Sequence, residues 1–425
     1  MNTDLTKASA EKIKTLKQEL EQRYATYVKQ GLKLDMTRGK PAQDQLDLAN
    51  GLLELPGHEI TKTNSTDLRN YGVLEGLPKV RELFADLFGI TANEVITGGN
   101  ASLTIMHDLV TQARLHGVGS KTPPWEAEVT KFLCPVPGYD RHFSICEHFG
   151  IQMIPIAMNS DGPDMKAIEA AVADDPNIKG IWCVPKYSNP GGQTYSDEVV
   201  DRLAQMKAAA EDFRIFWDNA YMVHHLGAGP APLKNILTAC KEAKNDDRVY
   251  MFASTSKISF AGSGISALGS SIENISRYRS HISKQTIGPD KINQYRHLQF
   301  FKNKEGVMKH MDKHAALLSP KFAAIQSIFK EELDGWNIAK WSNPSGGYFV
   351  SLDTQPNCAK AVVEMAAKAG VKLTQAGATW PYGKDPNDSN IRIAPSLPPL
   401  AEVSTAMQVV ATCVKLVAIQ NQESK

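Results

Sequence analysis

The chain has 425 residues, 42% of them apolar and 22% charged, with a formal net charge of +1. Such a length is expected to divide into two domains, and the near-neutral balance excludes the basic footprint of a nucleic-acid binder. No run approaches about 20 consecutive apolar residues, so no membrane span is expected.

In chain order, residues 1–12 are polar and lack the apolar stretch of a secretion signal. Ile13, Leu16, Leu20, Tyr24 and Tyr27 recur at spacings of three and four, which predicts an amphipathic helix stopped at Gly31. An irregular segment with Thr37-Arg38-Gly39-Lys40-Pro41 follows. From about Asp67, short apolar runs alternate with helical periods. Strands are expected at 94–97, 131–134, 151–156, 180–184, 213–217 and 248–252, with a helix over 103–115. That alternation predicts an α/β fold with a mainly parallel, seven-stranded-type sheet between helices. A long helix over 313–332 then leads to a strand at 346–352, a helix near 359–369, a strand at 371–374 and a last helix from Leu400. These form a smaller α+β domain. The expected division is 61–312 for the large domain, with 1–60 and 313–425 in the small one. Residues 385–388 read as a polar turn. Cys134, Cys146, Cys183, Cys240, Cys358 and Cys413 are scattered without a CxxC pair, so they read as reduced thiols of a cytoplasmic protein.

Four motifs fall just past expected strand ends, the edge at which open parallel sheets bind ligands. Gly98-Gly99-Asn100-Ala101-Ser102 opens a helix whose free amides suit an anion, although a tight turn with a Ser cap explains it as well. Pro185-Lys186-Tyr187-Ser188-Asn189-Pro190-Gly191-Gly192 is a turn that needs no function, yet Asn189 can aim its amide into the crevice. In Trp217-Asp218-Asn219-Ala220-Tyr221 a carboxylate ends an apolar strand and requires a partner. A ring cation would supply one; a helix cap is the alternative. Ser254-Thr255-Ser256-Lys257 precedes the small, apolar run Ile258-Ser259-Phe260-Ala261-Gly262-Ser263-Gly264. Most lysines are solvated, but these surroundings would lower an amine's pKa and make it a nucleophile toward carbonyls.

In this order the motifs resemble the fold-type I pyridoxal 5'-phosphate (PLP) aminotransferases of class I/II. The strings Met36-Thr37-Arg38-Gly39-Lys40-Pro41, Tyr71-Gly72-Val73-Leu74-Glu75-Gly76-Leu77-Pro78, Pro137-Gly138-Tyr139-Asp140-Arg141-His142-Phe143 and Pro185-Lys186-Tyr187-Ser188-Asn189-Pro190 are similar to a bacterial subgroup of aspartate aminotransferases. The resemblance implies that Lys257 carries PLP as a Schiff base and moves the proton between the substrate α-carbon and the cofactor. It implies that Asp218 keeps the pyridine nitrogen protonated, that Tyr221 and Asn189 donate to the phenolic oxygen, and that Tyr139 stacks on the ring. The phosphate would be met at Gly99, Asn100, Ala101 and Ser102 and by Ser254 and Ser256. Tyr71 would reach it from the other subunit of a homodimer with shared active sites. Arg392 would grip the α-carboxylate of the substrate beside Asn189. Arg38 and Gly39 belong to a segment that the family folds over the pocket. Arg38 is the expected partner of a side-chain carboxylate, with Arg296 as the alternative. The substrates would be an amino acid, aspartate first, and a 2-oxo acid such as 2-oxoglutarate.

Two departures from the family stand out. Ser263-Gly264-Ile265-Ser266 occupies the place of a phosphate-binding arginine, and Asn100 that of a lysine which some relatives direct at the side-chain carboxylate. His310 and His314, four apart, have metal-like spacing but read as a solvated helix face, and no metal is expected. His224 and His225 read as local packing or pocket-rim residues, and Trp380 as a candidate pocket wall. Alternative activities on the same machinery are transfer from alanine, 2-aminoadipate or kynurenine, or β-elimination. A regulator with an aminotransferase-like domain would need a DNA-binding module for which one helix leaves no room.

Overall fold

The computed structural model describes residues 4–58, 62–63, 66–119, 122–127, 129–227 and 229–423; the boundary expected at 60/61 lies outside them. One large sheet holds β1 (Val95–Thr97), β2 (Lys131–Val136), β3 (Gln152–Asn159), β4 (Gly162–Pro163), β5 (Ile178–Cys183), β6 (Arg214–Asp218), β7 (Val249–Ser254) and β8 (Ser266–Gly269). Their order across the sheet is β1-β8-β7-β6-β5-β2-β3-β4. Pairing from β7 through β3 is parallel, β8 is antiparallel to both neighbours, and β4 folds back on β3. The sheet is mainly parallel, as expected, with the two-residue β4 as an added edge. β8 escapes a sequence reading because Ser-Ala-Leu-Gly is short and lacks a β-branched or aromatic run.

Burial on both faces explains why the strands read as continuous apolar runs. Side chains alternate between two cores, as a period of two requires. Leu133, Ile181, Trp217 and Met251 join Val80 and Phe84 of helix α2 (Pro78–Phe88) on one face. Phe132, Trp182, Phe216 and Phe252 join Ile105 and Leu109 of α3 (Ser102–His116) on the other.

A third core gathers Leu20 of α1 (Ala10–Lys29), Leu34 and Met36 with residues from the last quarter of the chain. Ser9 caps α1, and Gly31 adopts φ +61° where the helix was expected to stop. Leu34–Asp35 pairs in parallel with Val371–Lys372, docking the N-terminal segment beside a small antiparallel sheet. That sheet has β9 (Ala339–Trp341), β10 (Val350–Thr354) and β11 (Asn390–Ile393) in that order. The strand expected from 346 starts only at Val350: Gly346 and Gly347 pass against Tyr187, where an added Cβ on Gly346 would lie 2.3 Å from its ring. The long helix α4 (Lys304–Leu333) begins earlier than expected because Asn303 accepts from the Gly306 amide at 2.9 Å. The final helix, α5 (Leu400–Glu423), is long and apolar enough to cross a membrane, but 78% of that stretch is buried against the rest of the fold. It is a core helix packed on α1 and α4. All six cysteines are free and buried.

The histidines on α4 correct an expectation. His310 and His314 do not face solvent; they are 5% and 0% exposed. The helix turns this pair toward the end of β7, where neighbouring backbone supplies their hydrogen-bond partners.

Candidate active site

The four motifs meet at the C-terminal edge of the large sheet, around a cavity of about 230 Å³. Asp218, the last residue of β6, sits in its wall at 4% exposure. Its Oδ2 lies 3.0 Å from His142 Nε2, while Oδ1 is buried with no partner. The carboxylate is therefore no helix cap. His142 belongs to the first turn of helix α6′ (Asp140–His148), and its ring stacks on Trp182 at 4.5 Å and 10°. Tyr139 caps the start of the same helix, and its ring meets that of His142 edge-on at 5.0 Å. Burial, and then the charge of Asp218, push the Tyr139 phenol up to about 12.

Lys257 follows β7 in the opposite wall, with Nζ 5.0 Å from the centre of the Tyr221 ring. Burial lowers its pKa, against the pull of Asp218, so a reactive neutral amine is more accessible than on a solvated lysine. Burial also raises the Tyr221 phenol well above its ordinary value, keeping it a hydrogen-bond donor.

The other end of the cavity suits an anion. Ala101 and Ser102 bring the N-terminus of α3 to it, and no side chain caps that helix. Ser254 Oγ donates to Ser256 Oγ at 3.0 Å, and Ser256 Oγ donates to the Asn100 carbonyl at 2.8 Å. Gly99 and Asn100 flank the cavity rather than line it; the Asn100 side chain turns to the Ala261 carbonyl at 3.3 Å. Where relatives carry an arginine, Ser266 is fully buried with its hydroxyl unpartnered. Lys257 is the one cation among the described residues lining this cavity.

A second cavity, about 700 Å³, opens from the first and shares Tyr139, Asn189, Tyr221 and Lys257 with it. Arg38, Gly39, Lys40, Arg141, Lys372 and Arg392 surround it. Arg392, on β11, is 8% exposed; its Nη1 donates to Asp140 Oδ1 at 2.8 Å and lies 3.5 Å from Asn189 Oδ1. Its Nε is buried without a partner, and its guanidinium lies 5.1 Å over the Phe349 ring. Gly39 makes room for that ring: a Cβ there would meet Phe349 at 2.2 Å.

The structure thus brings Lys257, Asp218, Tyr221, Tyr139, Asn189, Ala101, Ser102, Ser254 and Ser256 around one cavity and Arg38, Gly39 and Arg392 around its extension. Tyr71 lies outside both, 80% exposed. Arg296 and Trp380 also lie outside both linings; Trp380 packs against the core that holds Phe132. His224 and His225 are buried, at 2% and 3% exposure. Sequence reasoning gave no role to His142, Asp140, Arg141 or Phe349. A signal for His142 existed, since it follows Tyr139 by three residues at a helix start and shares its face.

The aspartate amino-transferase family model matches residues 8–425. A Mycolicibacterium smegmatis protein provisionally named an aminotransferase is 52% identical over 407 residues, 95% of each chain. An aspartate aminotransferase of Corynebacterium glutamicum is 45% identical over 97% of this chain and 96% of its own. The crystal structure of an aspartate transaminase from the same organism superposes with a TM-score of 0.96 at 44% identity, covering 99% of this chain and all of that one. The chain belongs to the aspartate amino-transferase family and is an aminotransferase.

Proposed function

We propose that the protein moves the amino group of aspartate to 2-oxoglutarate, using PLP held covalently by Lys257. The observation that carries this reading is the buried, unpartnered Asp218 Oδ1 in the cavity that Lys257 also lines. A buried carboxylate oxygen needs a donor, and a protonated pyridine nitrogen supplies one of the right charge. The rest of the cavity fits the same group: the α3 N-terminus with Ser254 and Ser256 for a phosphate, Tyr139 for the ring face, and Tyr221 and Asn189 for the phenolic oxygen.

When bound, PLP supplies an electron sink for the bonds at an amino-acid α-carbon. This chain's residues do the rest. Asp218, steadied by His142, holds a proton on the ring nitrogen. Lys257 Nζ takes the proton from the substrate α-carbon and returns it. Arg392, backed by Phe349, binds the α-carboxylate, and Arg38 is the first candidate for the second carboxylate of aspartate. The aspartate name of the 45% identical relative and the five cations around the outer cavity support a dicarboxylic substrate.

The shared core of Leu20, Met36 and Phe329 supports grouping 1–60 with 313–425 as a small domain against 61–312. Exposed Tyr71 supports a homodimer that shares its sites, and six free thiols fit a reducing compartment such as the cytoplasm. The test is a panel of amino donors with 2-oxoglutarate, following glutamate. Aspartate should give the highest kcat/KM, and Lys257→Ala should abolish turnover. A Lys257→Ala protein at the wild-type rate would remove the assignment.

A further inference from the structure

Lys257 is gripped through its backbone by side chains that take no part in the chemistry described above. Its carbonyl accepts from His224 Nε2 and from Tyr348 Oη, both at 3.3 Å. The next carbonyl, of Ile258, accepts from His310 Nε2 at 2.8 Å. Gln45 lies behind this cluster: its Nε2 donates to Tyr348 Oη at 3.0 Å and to His314 Nδ1 at 3.1 Å. Its Oε1 accepts from the Ala42 amide at 3.1 Å, which fixes which way the amide points. With Nδ1 accepting, His314 carries its proton on Nε2, 3.1 Å from His310 Nε2 and beside the Ile258 carbonyl. Gln45, Tyr348 and His314 are 0% exposed, His224 2% and His310 5%.

Five buried polar side chains from four separate segments converge on two consecutive carbonyls. Apolar residues would fill the same volume without the desolvation cost, so the gain has to lie in fixing position. Burial lowers the pKa of His224, His310 and His314, so all three act as neutral donors or acceptors at neutral pH. Gln45 also sits just beyond Lys40, which lines the outer cavity and whose carbonyl accepts from Ser396 Oγ at 2.9 Å. The chain that walls the substrate side is thereby connected to the lysine backbone through Gln45 and Tyr348.

We propose that Gln45, Tyr348 and His224 are positioning residues: they set the reach of Lys257 Nζ and link it to the seating of segment 37–40 over the pocket. This rests on the reading of Lys257 as the reacting amine. Tyr348→Phe and Gln45→Met keep the volume and remove the donors. In the loaded enzyme, each should lower kcat by about tenfold with KM for the amino donor little changed, since a displaced group costs rate more than binding. Each should also shift the pH midpoint of the visible absorbance of the lysine-bound cofactor. The double variant should lose less than the product of the single losses, because the two residues act through one chain. If Tyr348→Phe fails to fold, Gln45→Met carries the test alone. Variants that only lower the melting temperature, with kcat and the absorbance midpoint at wild-type values, would overturn the inference. The failure of the underlying reading looks different: Lys257→Ala would then stay active.

Discussion

Asp218 and His142 share one hydrogen bond, 3.0 Å from Oδ2 to Nε2, and it engages only one oxygen of the carboxylate. His142 is in turn stacked on Trp182 at 4.5 Å, so the direction of the free oxygen is set by an aromatic stack inside the core. The pair explains how a carboxylate can be buried at a strand end and still be reserved for a ligand.

Asp218→Ala is therefore expected to retain the cofactor, because the phosphate end and Lys257 are untouched, but to lower kcat by about 100-fold or more. Cofactor absorbance and steady-state rates on the same preparation check both halves. Full activity would reduce Asp218 to a structural role.

Gly39 is expected to tolerate no side chain. In Gly39→Ala the new Cβ would collide with Phe349, which lies under Arg392. Loss of a cation–π contact and of the arginine's position should raise KM for every amino donor by roughly tenfold, with a smaller effect on kcat. A KM equal to wild type would show that the ring moves aside freely.

Arg38 separates dicarboxylic from monocarboxylic substrates. Arg38→Ala should raise KM for aspartate and glutamate by roughly 10- to 100-fold and leave that for alanine nearly unchanged. An equal loss for all three donors would mean that Arg38 only pins its segment. A null effect would shift attention to Arg141, which lines the same cavity.

A homodimer with shared sites is expected from Tyr71, 80% exposed, and from Ile287, 61% exposed. The two lie close together, since a Cβ on Gly288 would sit 2.2 Å from the Gly72 carbonyl oxygen. Sedimentation should give a dimer. Mixing Lys257→Ala with Tyr71→Phe protomers should restore activity above that of either parent. A fully active monomer would contradict the arrangement.

Local pattern by itself determined the parallel sheet and the four motifs at its edge. Continuous apolar runs such as Ile215-Phe216-Trp217 can only be strands buried on both faces, and whatever follows them falls at the ligand-binding edge. Lys257, Asp218, Asn189 and Arg392 were legible for that reason and through their resemblance to a family. Tertiary packing alone decided the partners. His142 reaches Asp218 because α6′ lays its first turn across the end of β6, a contact between residues 76 apart in sequence. Phe349 reaches Arg392 only because Gly39, from the far end of the chain, leaves space for its ring. His310 and His314 misled in the sequence for the same reason. Helical spacing reports which residues share a face, but not whether that face meets water or, as here, the backbone of the lysine at the centre of the site.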